Sequence, residues 1–244
     1  MKQSYTFRKG LWDGLPICLG YLSVSFAFGL FAVESGLAVW EALLISMTNL
    51  TSAGQLAGVP IIAGGGTLIE MAVTQLVINL RYALMSVSLS QKTDGSMTLP
   101  HRLLIAFGNT DEVFAVASVK ERPVGRRYMY GLILPPYLGW TSGTLLGAIA
   151  GNLLPAVVVS SLGIAIYGMF IAIVVPVAKE NRPTAVAVTV AVILSLLFRF
   201  LPLLSAVPDG FAVILSAVAA AAILAALAPI GDSGHPVFRR RGPK

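Results

Sequence analysis

Residues 211–230 read FAVILSAVAAAAILAALAPI, a run of twenty residues without a charged side chain. A helix needs about 20 mostly apolar residues to cross the hydrocarbon core of a bilayer. A strand of a membrane barrel needs only about 10 and alternates apolar with polar residues, and this run shows no such alternation. The run therefore predicts a membrane-spanning helix.

Seven further segments of the chain are also mostly apolar and about 20 residues long. They cover residues 15–33, 42–63, 68–89, 103–119, 128–150, 156–178 and 184–204. Hydrophobic residues make up 56% of the 244 residues and charged residues only 11%, whereas a soluble domain has about 25% charged residues. We therefore predict an all-α polytopic membrane protein, a bundle of about seven to eight transmembrane helices, some of them broken. The composition excludes a soluble enzyme, a nucleic-acid-binding domain and, with one cysteine, a disulfide scaffold.

The net charge of +6 is concentrated in a few places. Lys and Arg lie before the first segment, between the fourth and fifth, between the sixth and seventh, and in the tail. Since these residues accumulate in cytoplasmic loops, eight spans with both termini in the cytoplasm fit the distribution, and we favour that count. The loop 91–102, with Lys92 and Arg102, would then lie outside. It returns to the cytoplasm if the second and fourth segments are both re-entrant or broken, and this alternative stays open.

Two parts of the sequence match each other at an offset of 119 residues. The matches pair Arg8, Pro16, Leu19, Gly20 and Tyr21 with Arg127, Pro135, Leu138, Gly139 and Trp140. Many transporters are built from two repeats, although so few matches in apolar sequence also arise by chance. The offset predicts a single transmembrane domain with repeat halves 1–119 and 120–230 and a basic tail, 231–244.

The second segment has polar residues in its middle. Asn49, Ser52 and Gln55 interrupt the apolar run, and Gly54 weakens a helix there. Interrupted helices in transporters expose backbone N–H and C=O groups that bind substrate. On this interpretation Asn49, Ser52, Gly54 and Gln55 are candidate substrate-binding residues. The alternative is an ordinary helix whose small residues permit close packing.

The third segment carries two polar stripes. Glu70, Thr74 and Arg81 fall within about 40° of one another at about 100° per residue, and Asn79 lies on the second stripe. Glu70 is near the end of the segment, where its side chain can reach the membrane interface. Arg81 is deeper and needs a counter-charge or an anionic ligand, because a charge at the bilayer centre costs about 3 kcal/mol. Asn79 and Arg81 are therefore candidate substrate-binding residues.

The fourth segment supplies two adjacent acids, Asp111 and Glu112. On a helix they point about 100° apart, so one can pair with Arg81 while the other faces a cavity. A carboxylate removed from water favours its protonated form and can carry a coupling proton. Asp111, Glu112 and Arg81 are therefore candidate proton-coupling or ion-pair residues. The alternatives are a purely structural ion pair and a helix start within a loop, capped by Thr110.

Small residues repeat every four positions in the fifth segment. They are Gly131, Pro135, Gly139, Gly143, Gly147 and Gly151. Small residues at this spacing form a flat strip on which another helix can pack closely. The strip therefore predicts a helix–helix contact.

No pattern in the sequence points to catalysis or to a cofactor. His101 and His235 lie in a loop and in the tail, without a second His or Cys nearby, and the chain has no phosphate-binding loop. We therefore expect neither an enzyme nor a bound cofactor or metal, and no direct use of ATP.

Four groups of motifs occur in a distinctive order along the chain. They are GLP (14–16) with GY (20–21) and FAFG (26–29), SAGQ (52–55), NLRY (79–82) with LMS (84–86), and TDE (110–112). Together they resemble the AzlC family, the large subunit of branched-chain amino acid exporters, over about residues 5–230. The NLR and TDE elements are the most specific of these motifs.

The resemblance implies export of leucine, isoleucine or valine, with methionine as a further candidate, across the cytoplasmic membrane. It also implies a small AzlD-like membrane subunit as partner and drive by an ion gradient, which we take to be protons. One departure concerns residues 49–52, NLTS, where the family often has an aromatic residue and a second glycine. The pocket is therefore expected to be more polar.

The polar residues fit such a substrate, because a zwitterion needs donors for its carboxylate and acceptors for its ammonium group. Arg81, or backbone N–H groups near Gly54 and Gln55, can hold the carboxylate. Asp111 or Glu112 can hold the ammonium group. The alternatives are a non-transporting scaffold or receptor subunit, a channel, and an importer of another small zwitterion. A scaffold has no need of ionisable groups at mid-depth.

Overall fold

The computed structural model describes residues 5–155, 157–158, 161, 168, 171, 174–202, 204 and 207–227. The helices whose two ends both lie in this part of the chain are α1 (Phe7–Glu34), α2 (Val39–Thr48), α3 (Ala53–Ala63), α4 (Leu68–Ser90), α5 (Leu99–Phe107), α6 (Asp111–Ser118), α7 (Arg126–Leu153), α8 (Arg182–Phe200) and α9 (Asp209–Leu227). Residues 174–180 are helical as well. The described residues contain no strand, only an isolated bridge between Thr93 and Val124. The fold is all-α, as predicted.

Four of the described helices are long and apolar enough to cross a membrane. They are α1, α4, α8 and the Gly210–Leu227 part of α9. The chain is therefore a helical membrane protein, in agreement with its composition. The predicted sixth segment, 156–178, lies mostly outside the described residues, and the basic tail 231–244 lies outside them entirely.

The described residues form two compact units. The first contains those within residues 1–64 and 78–166, and the second those within 65–77 and 167–244. The repeat halves 1–119 and 120–230 stay a prediction. One observation agrees with them, because α1 and α7 both have 28 residues and their bounds are 119 positions apart.

Glycines bring α1 and α7 of the first unit into contact along their length. A Cβ at Gly14 would lie 2.6 Å from the carbonyl oxygen of Leu132, and one at Gly139 would lie 2.6 Å from that of Cys18. Only a residue without a Cβ fits where two backbones are this close. The other glycines of the strip also face α1, at Gly131, Gly143, Gly147 and Gly151. Since the contacts advance in the same direction on both helices, α1 and α7 run parallel.

The helices α2 and α3 form a hairpin. α2 follows α1 after a turn in which Gly36 has a φ of +97°, a value that favours glycine. Ala42 of α2 and Val59 of α3 belong to one buried cluster with Phe28 of α1 and Ala148 of α7. Both helices therefore pack near the C-terminal ends of α1 and α7, and α3 turns back toward the end from which α2 starts.

The helices α5 and α6 form a second hairpin, at the opposite end of α7. The amide of Asp94, before α5, donates to the carbonyl of Val124, after α6, at 3.1 Å. The amide of Arg126, which begins α7, donates to Ser96 Oγ at 3.1 Å. Both ends of the α5–α6 pair therefore meet at the N-terminal end of α7.

The position of the second hairpin decides where the loop 91–102 lies. Tyr5, just before α1, contacts Tyr128 in the first turn of α7, with ring centroids 5.3 Å apart. Lys120 Nζ, just after α6, is 2.7 Å from Asp13 Oδ2 of α1. The loop therefore lies at the end that carries the N-termini of α1 and α7. Eight full spans would place it at the other end, and the structure agrees with the alternative in which the second and fourth segments are both re-entrant.

In the second unit, Glu70 joins the start of α4 to the start of α9. Its carboxylate accepts a hydrogen bond from the amide of Gly210 at 3.0 Å, and the residue is only 6% exposed. A carboxylate at a helix N-terminus pairs with free N–H groups and with the positive end of the helix dipole. The side chain therefore caps α9, and its position at the membrane interface stays a prediction.

Candidate functional site

The first hairpin is interrupted at residues 49–52, which we call the first tip. Asn49 ends α2 in an extended conformation, and Ser52 precedes α3 with a φ of +27°. Ser52 is the one non-glycine residue with a positive φ in the described part of the chain. Such strained backbone is retained where the surrounding structure requires it, often at functional sites. The segment is thus broken, as one interpretation predicts, but the break precedes Gly54, which lies in the first turn of α3.

The second hairpin is interrupted at residues 108–110, the second tip. Gly108 ends α5, and a Cβ there would overlap the side chain of Ile133 on α7. Thr110 caps α6 by accepting from the amide of Val113 at 3.4 Å. Asp111 therefore begins a short helix, so the fourth segment is not one continuous span. The helix start capped by Thr110, which the sequence leaves as an alternative, is present at this tip.

Tyr21, in the middle of α1, contacts both tips. Its hydroxyl lies 2.7 Å from Thr110 Oγ1 and donates to the carboxylate of Glu112. Its ring packs edge-on against Trp140 of α7, with centroids 5.2 Å apart, and shares a buried cluster with Leu50 of the first tip. The sequence analysis did not assign Tyr21 to the site. A tyrosine far from both ends of an apolar span was the available signal, since membrane tyrosines usually lie near the interfaces.

The two acids that begin α6, directly after the second tip, have different partners. Asp111 Oδ2 lies 2.5 Å from a guanidinium nitrogen of Arg81 on α4, whereas Glu112 bonds to Tyr21. The guanidinium also donates to the hydroxyl of Tyr82 at 3.0 Å. Both side chains of the ion pair are almost half exposed, 45% for Arg81 and 43% for Asp111. Because charge is costly in lipid, we expect this pair to face water or a polar surface.

A cavity of about 240 Å³ lies between the two tips and α4, and we call it the polar cavity. Its lining residues are Thr48, Asn49, Leu50, Thr51, Asn79, Tyr82, Ala106, Phe107, Asn109 and Thr110. Two buried oxygens of this lining, Thr51 Oγ1 and Asn109 Oδ1, have no hydrogen-bond partner among the described residues. A buried polar atom without a partner costs about 1–3 kcal/mol, so a ligand or water is the natural partner here.

The structure divides the predicted substrate-binding residues into two groups. Asn49 and Asn79 line the polar cavity, and Arg81 lies next to Tyr82 of its wall. Ser52, Gly54 and Gln55 do not line it.

Gln55 instead links the first hairpin to α7. Its side chain is 2% exposed and donates from Nε2 to Ser46 Oγ at 3.0 Å. The Ser46 hydroxyl in turn lies 2.7 Å from the Thr144 hydroxyl. These hydrogen bonds therefore connect α3 to α2 and α7, and they fix the position of the first tip between α2 and α3. Within the described ranges, no three His, Cys, Asp or Glu side chains are grouped as metal ligands.

Interrupted helices around a polar cavity in a helical membrane protein are typical of membrane transporters. The chain belongs to the AzlC family, because the family model described as AzlC protein matches residues 16–154, more than half of its length.

Relatives in three organisms agree with this assignment. A membrane protein of Archaeoglobus fulgidus is 34% identical over 76% of this chain and 82% of its own length. The inner membrane protein YgaZ of Escherichia coli is 32% identical, over 78% of this chain and 80% of its own. The branched-chain amino acid transport protein AzlC of Bacillus subtilis is 24% identical, over 60% of this chain and 58% of its own. No solved structure matches the chain significantly.

Proposed function

We propose that the protein is a secondary transporter that exports branched-chain or other hydrophobic amino acids across the cytoplasmic membrane, coupled to protons. The observation that carries the proposal is the polar cavity, with its two unpartnered buried oxygens, between two interrupted helices. The name of the relative from Bacillus subtilis, a branched-chain amino acid transport protein, supports the substrate class. We further propose that a small AzlD-like subunit assembles with the chain.

The ammonium group of the substrate would bind at the cavity wall. Asn109 Oδ1 and Thr51 Oγ1 are acceptors without a partner among the described residues, and an ammonium group has only donors to offer. The volume of about 240 Å³ equals the liquid share of about eight water molecules. That size suits a small amino acid rather than a peptide.

The carboxylate of the substrate would bind to Arg81 and displace Asp111. The guanidinium offers a planar set of donors that matches a carboxylate, and its present carboxylate partner is Asp111, at 2.5 Å. Asp111, released from Arg81, then offers one carboxylate for which the substrate's ammonium group and a proton compete. Such competition lets the protein carry either substrate or proton at one time, which is the requirement for export in exchange for protons.

The two hairpins supply the access routes. They start from opposite ends of α7 and bring their tips to the same residue, Tyr21. Movement of one hairpin would open the polar cavity to one end, and movement of the other would open it to the opposite end. Alternating access needs such a pair of gates around one central site.

The experiment is uptake of radiolabelled leucine into liposomes that contain the purified protein, with and without the small subunit, at imposed pH gradients. We expect saturable flux that follows the gradient and that is absent from liposomes without protein. Flux without saturation or gradient dependence would favour a channel. Absence of flux with the subunit present would remove branched-chain amino acids as substrates.

A further inference from the structure

A second cavity, of about 200 Å³, lies between α5 and the C-terminal half of α4, and we call it the apolar cavity. Carbon atoms form most of its wall, whereas polar and apolar atoms contribute about equally to the wall of the polar cavity. Its apolar lining side chains are Leu89, Met97, Leu103, Ile105 and Ala106, and Ser86, Ser90, Thr93, Arg102 and Asn109 also line it. Of these, Leu89, Met97 and Ile105 are at most 6% exposed and form part of the core of the first unit.

The two cavities share a wall at the second tip. Ala106 and Asn109 line both of them. The Asn109 side chain is 3% exposed, donates from Nδ2 to Ser86 Oγ at 3.3 Å, and leaves Oδ1 unpartnered among the described residues. The hydrogen bond is long, and Ala106 contributes only a methyl group. Of the two residues that line both cavities, Asn109 carries an acceptor for a ligand.

The polar cavity by itself does not explain selectivity for a branched aliphatic side chain, because about half of its wall is polar. Selectivity for such a side chain requires a dry wall of matching size, because the discrimination comes from apolar area removed from water. The apolar cavity offers such a wall directly beside the unpartnered oxygen of Asn109. The two cavities together thus suit a molecule that has a charged group at Asn109 and an apolar group in the apolar cavity.

We propose that the apolar cavity is the side-chain subsite of the transporter. The ammonium group of the amino acid binds at Asn109 on the polar side, and its aliphatic side chain passes the methyl group of Ala106 into the apolar cavity. Ala106 and Met97 then set the largest side chain that is accepted. This inference rests on the proposed function, since it assigns the same substrate to both cavities.

The test compares substrate preference, not overall activity. Ala106→Leu fills the cavity, and Met97→Ala enlarges it. Ala115→Leu is the matched control, because Ala115 is an exposed residue of α6 that lines neither cavity. Transport of leucine, alanine and phenylalanine is measured in liposomes under one imposed gradient, on protein that elutes as a single species.

We expect Ala106→Leu to lower the leucine-to-alanine transport ratio about tenfold or more, since one methylene in an apolar pocket is worth at least about that factor. Met97→Ala should raise the phenylalanine-to-leucine ratio, and Ala115→Leu should leave both ratios unchanged. Each variant probes the subsite separately, so failure of one to fold leaves the other as the test.

Two outcomes would overturn the inference in distinguishable ways. If both variants slow all three amino acids by the same factor, or change nothing, the apolar cavity is a passage or a packing gap, and the proposed function stands. If the unsubstituted protein transports no amino acid with its subunit present, the proposed function fails and the subsite fails with it.

Discussion

The α1–α7 pair and the two hairpins use glycine and small residues in opposite ways. In α7 the small residues recur every four positions, and the helix continues unbroken for 28 residues against an equally long α1. In the hairpins Gly54 and Gly108 stand beside polar runs, and the helices are only 8 to 11 residues long. Glycines repeated along a long helix thus build a rigid contact, whereas glycines beside polar residues accompany a break.

The physical reason for the difference is the fate of the backbone polar groups. Along α1 and α7 these groups are bonded within each helix, so close approach costs nothing in hydrogen bonds. At the tips the helical bonds stop, and side chains such as Thr110 replace part of them. The α1–α7 pair is therefore suited to be the scaffold and the tips to be the site, and each of the following predictions bears on that division.

The largest effect is expected for Gly139→Leu. A Cβ there would lie 2.6 Å from the backbone oxygen of Cys18, so α1 and α7 must separate, at a cost of about 3 kcal/mol or more. The matched control is Gly20→Leu, at the position 119 residues earlier, where a Cβ would meet nothing within 4 Å. The yield of monodisperse protein in detergent measures the effect, and equal yields for the two variants would show that the glycine strip is not a scaffold.

A large loss of transport with retained folding is expected for Arg81→Ala and Asp111→Ala. Removal of one partner leaves the other charge unpaired. Because the pair is almost half exposed, we expect a decrease in transport of about tenfold. Arg199→Ala, in the last turn of α8, is the control.

A charge-swapped double variant separates a substrate role from a structural one. In Arg81→Asp with Asp111→Arg the ion pair can form again, but the guanidinium is at the wrong place for a substrate carboxylate. We therefore expect no recovery of transport in the liposome assay. Full recovery would mean that the pair only holds α4 to the second tip.

A moderate effect is expected for Tyr21→Phe. The ring and its packing on Trp140 remain, but the hydrogen bonds to Thr110 and Glu112 are lost. Hydrogen bonds to charged groups contribute about 1.5–3 kcal/mol to stability, so we expect a lower unfolding temperature together with a decrease in transport of about tenfold. Tyr130→Phe, whose hydroxyl bonds to His101 away from the tips, should transport normally, and a similar decrease in both variants would contradict the assignment.

The smallest effect, and one of opposite sign in the two regions, is expected for serine-to-glycine substitutions. Ser52→Gly relieves a positive φ at the first tip and should stabilise the protein by up to about 1 kcal/mol. Ser23→Gly, in the middle of α1, should destabilise it by about 0.5–1 kcal/mol. Thermal unfolding in detergent measures the stability of both variants. If both substitutions change stability in the same direction, the backbone at Ser52 is not strained.

The sequence was sufficient for the class of protein and for the pairing of Arg81 with an acid. Hydropathy alone indicates a helical membrane protein, and the four-residue glycine spacing indicates a close helix contact. An arginine in the middle of a membrane segment needs a counter-charge, and Asp111 and Glu112 can supply one. The sequence alone therefore predicts that Arg81 pairs with one of these acids. These inferences succeed because they depend on composition, on local periodicity and on the cost of a lone charge in lipid.

Only the tertiary structure decided how the broken segments turn and which polar groups meet. A run of 17 to 22 apolar residues, such as 103–119 or 42–63, reads as a span whether it crosses or folds back, because hydropathy carries no direction. The hairpin arrangement turns Gln55 toward Ser46 and brings Tyr21 to Glu112, and in the second unit Glu70 meets the start of α9. Each of these contacts joins residues whose pairing depends on the path of the whole chain, so local sequence has no means of specifying it.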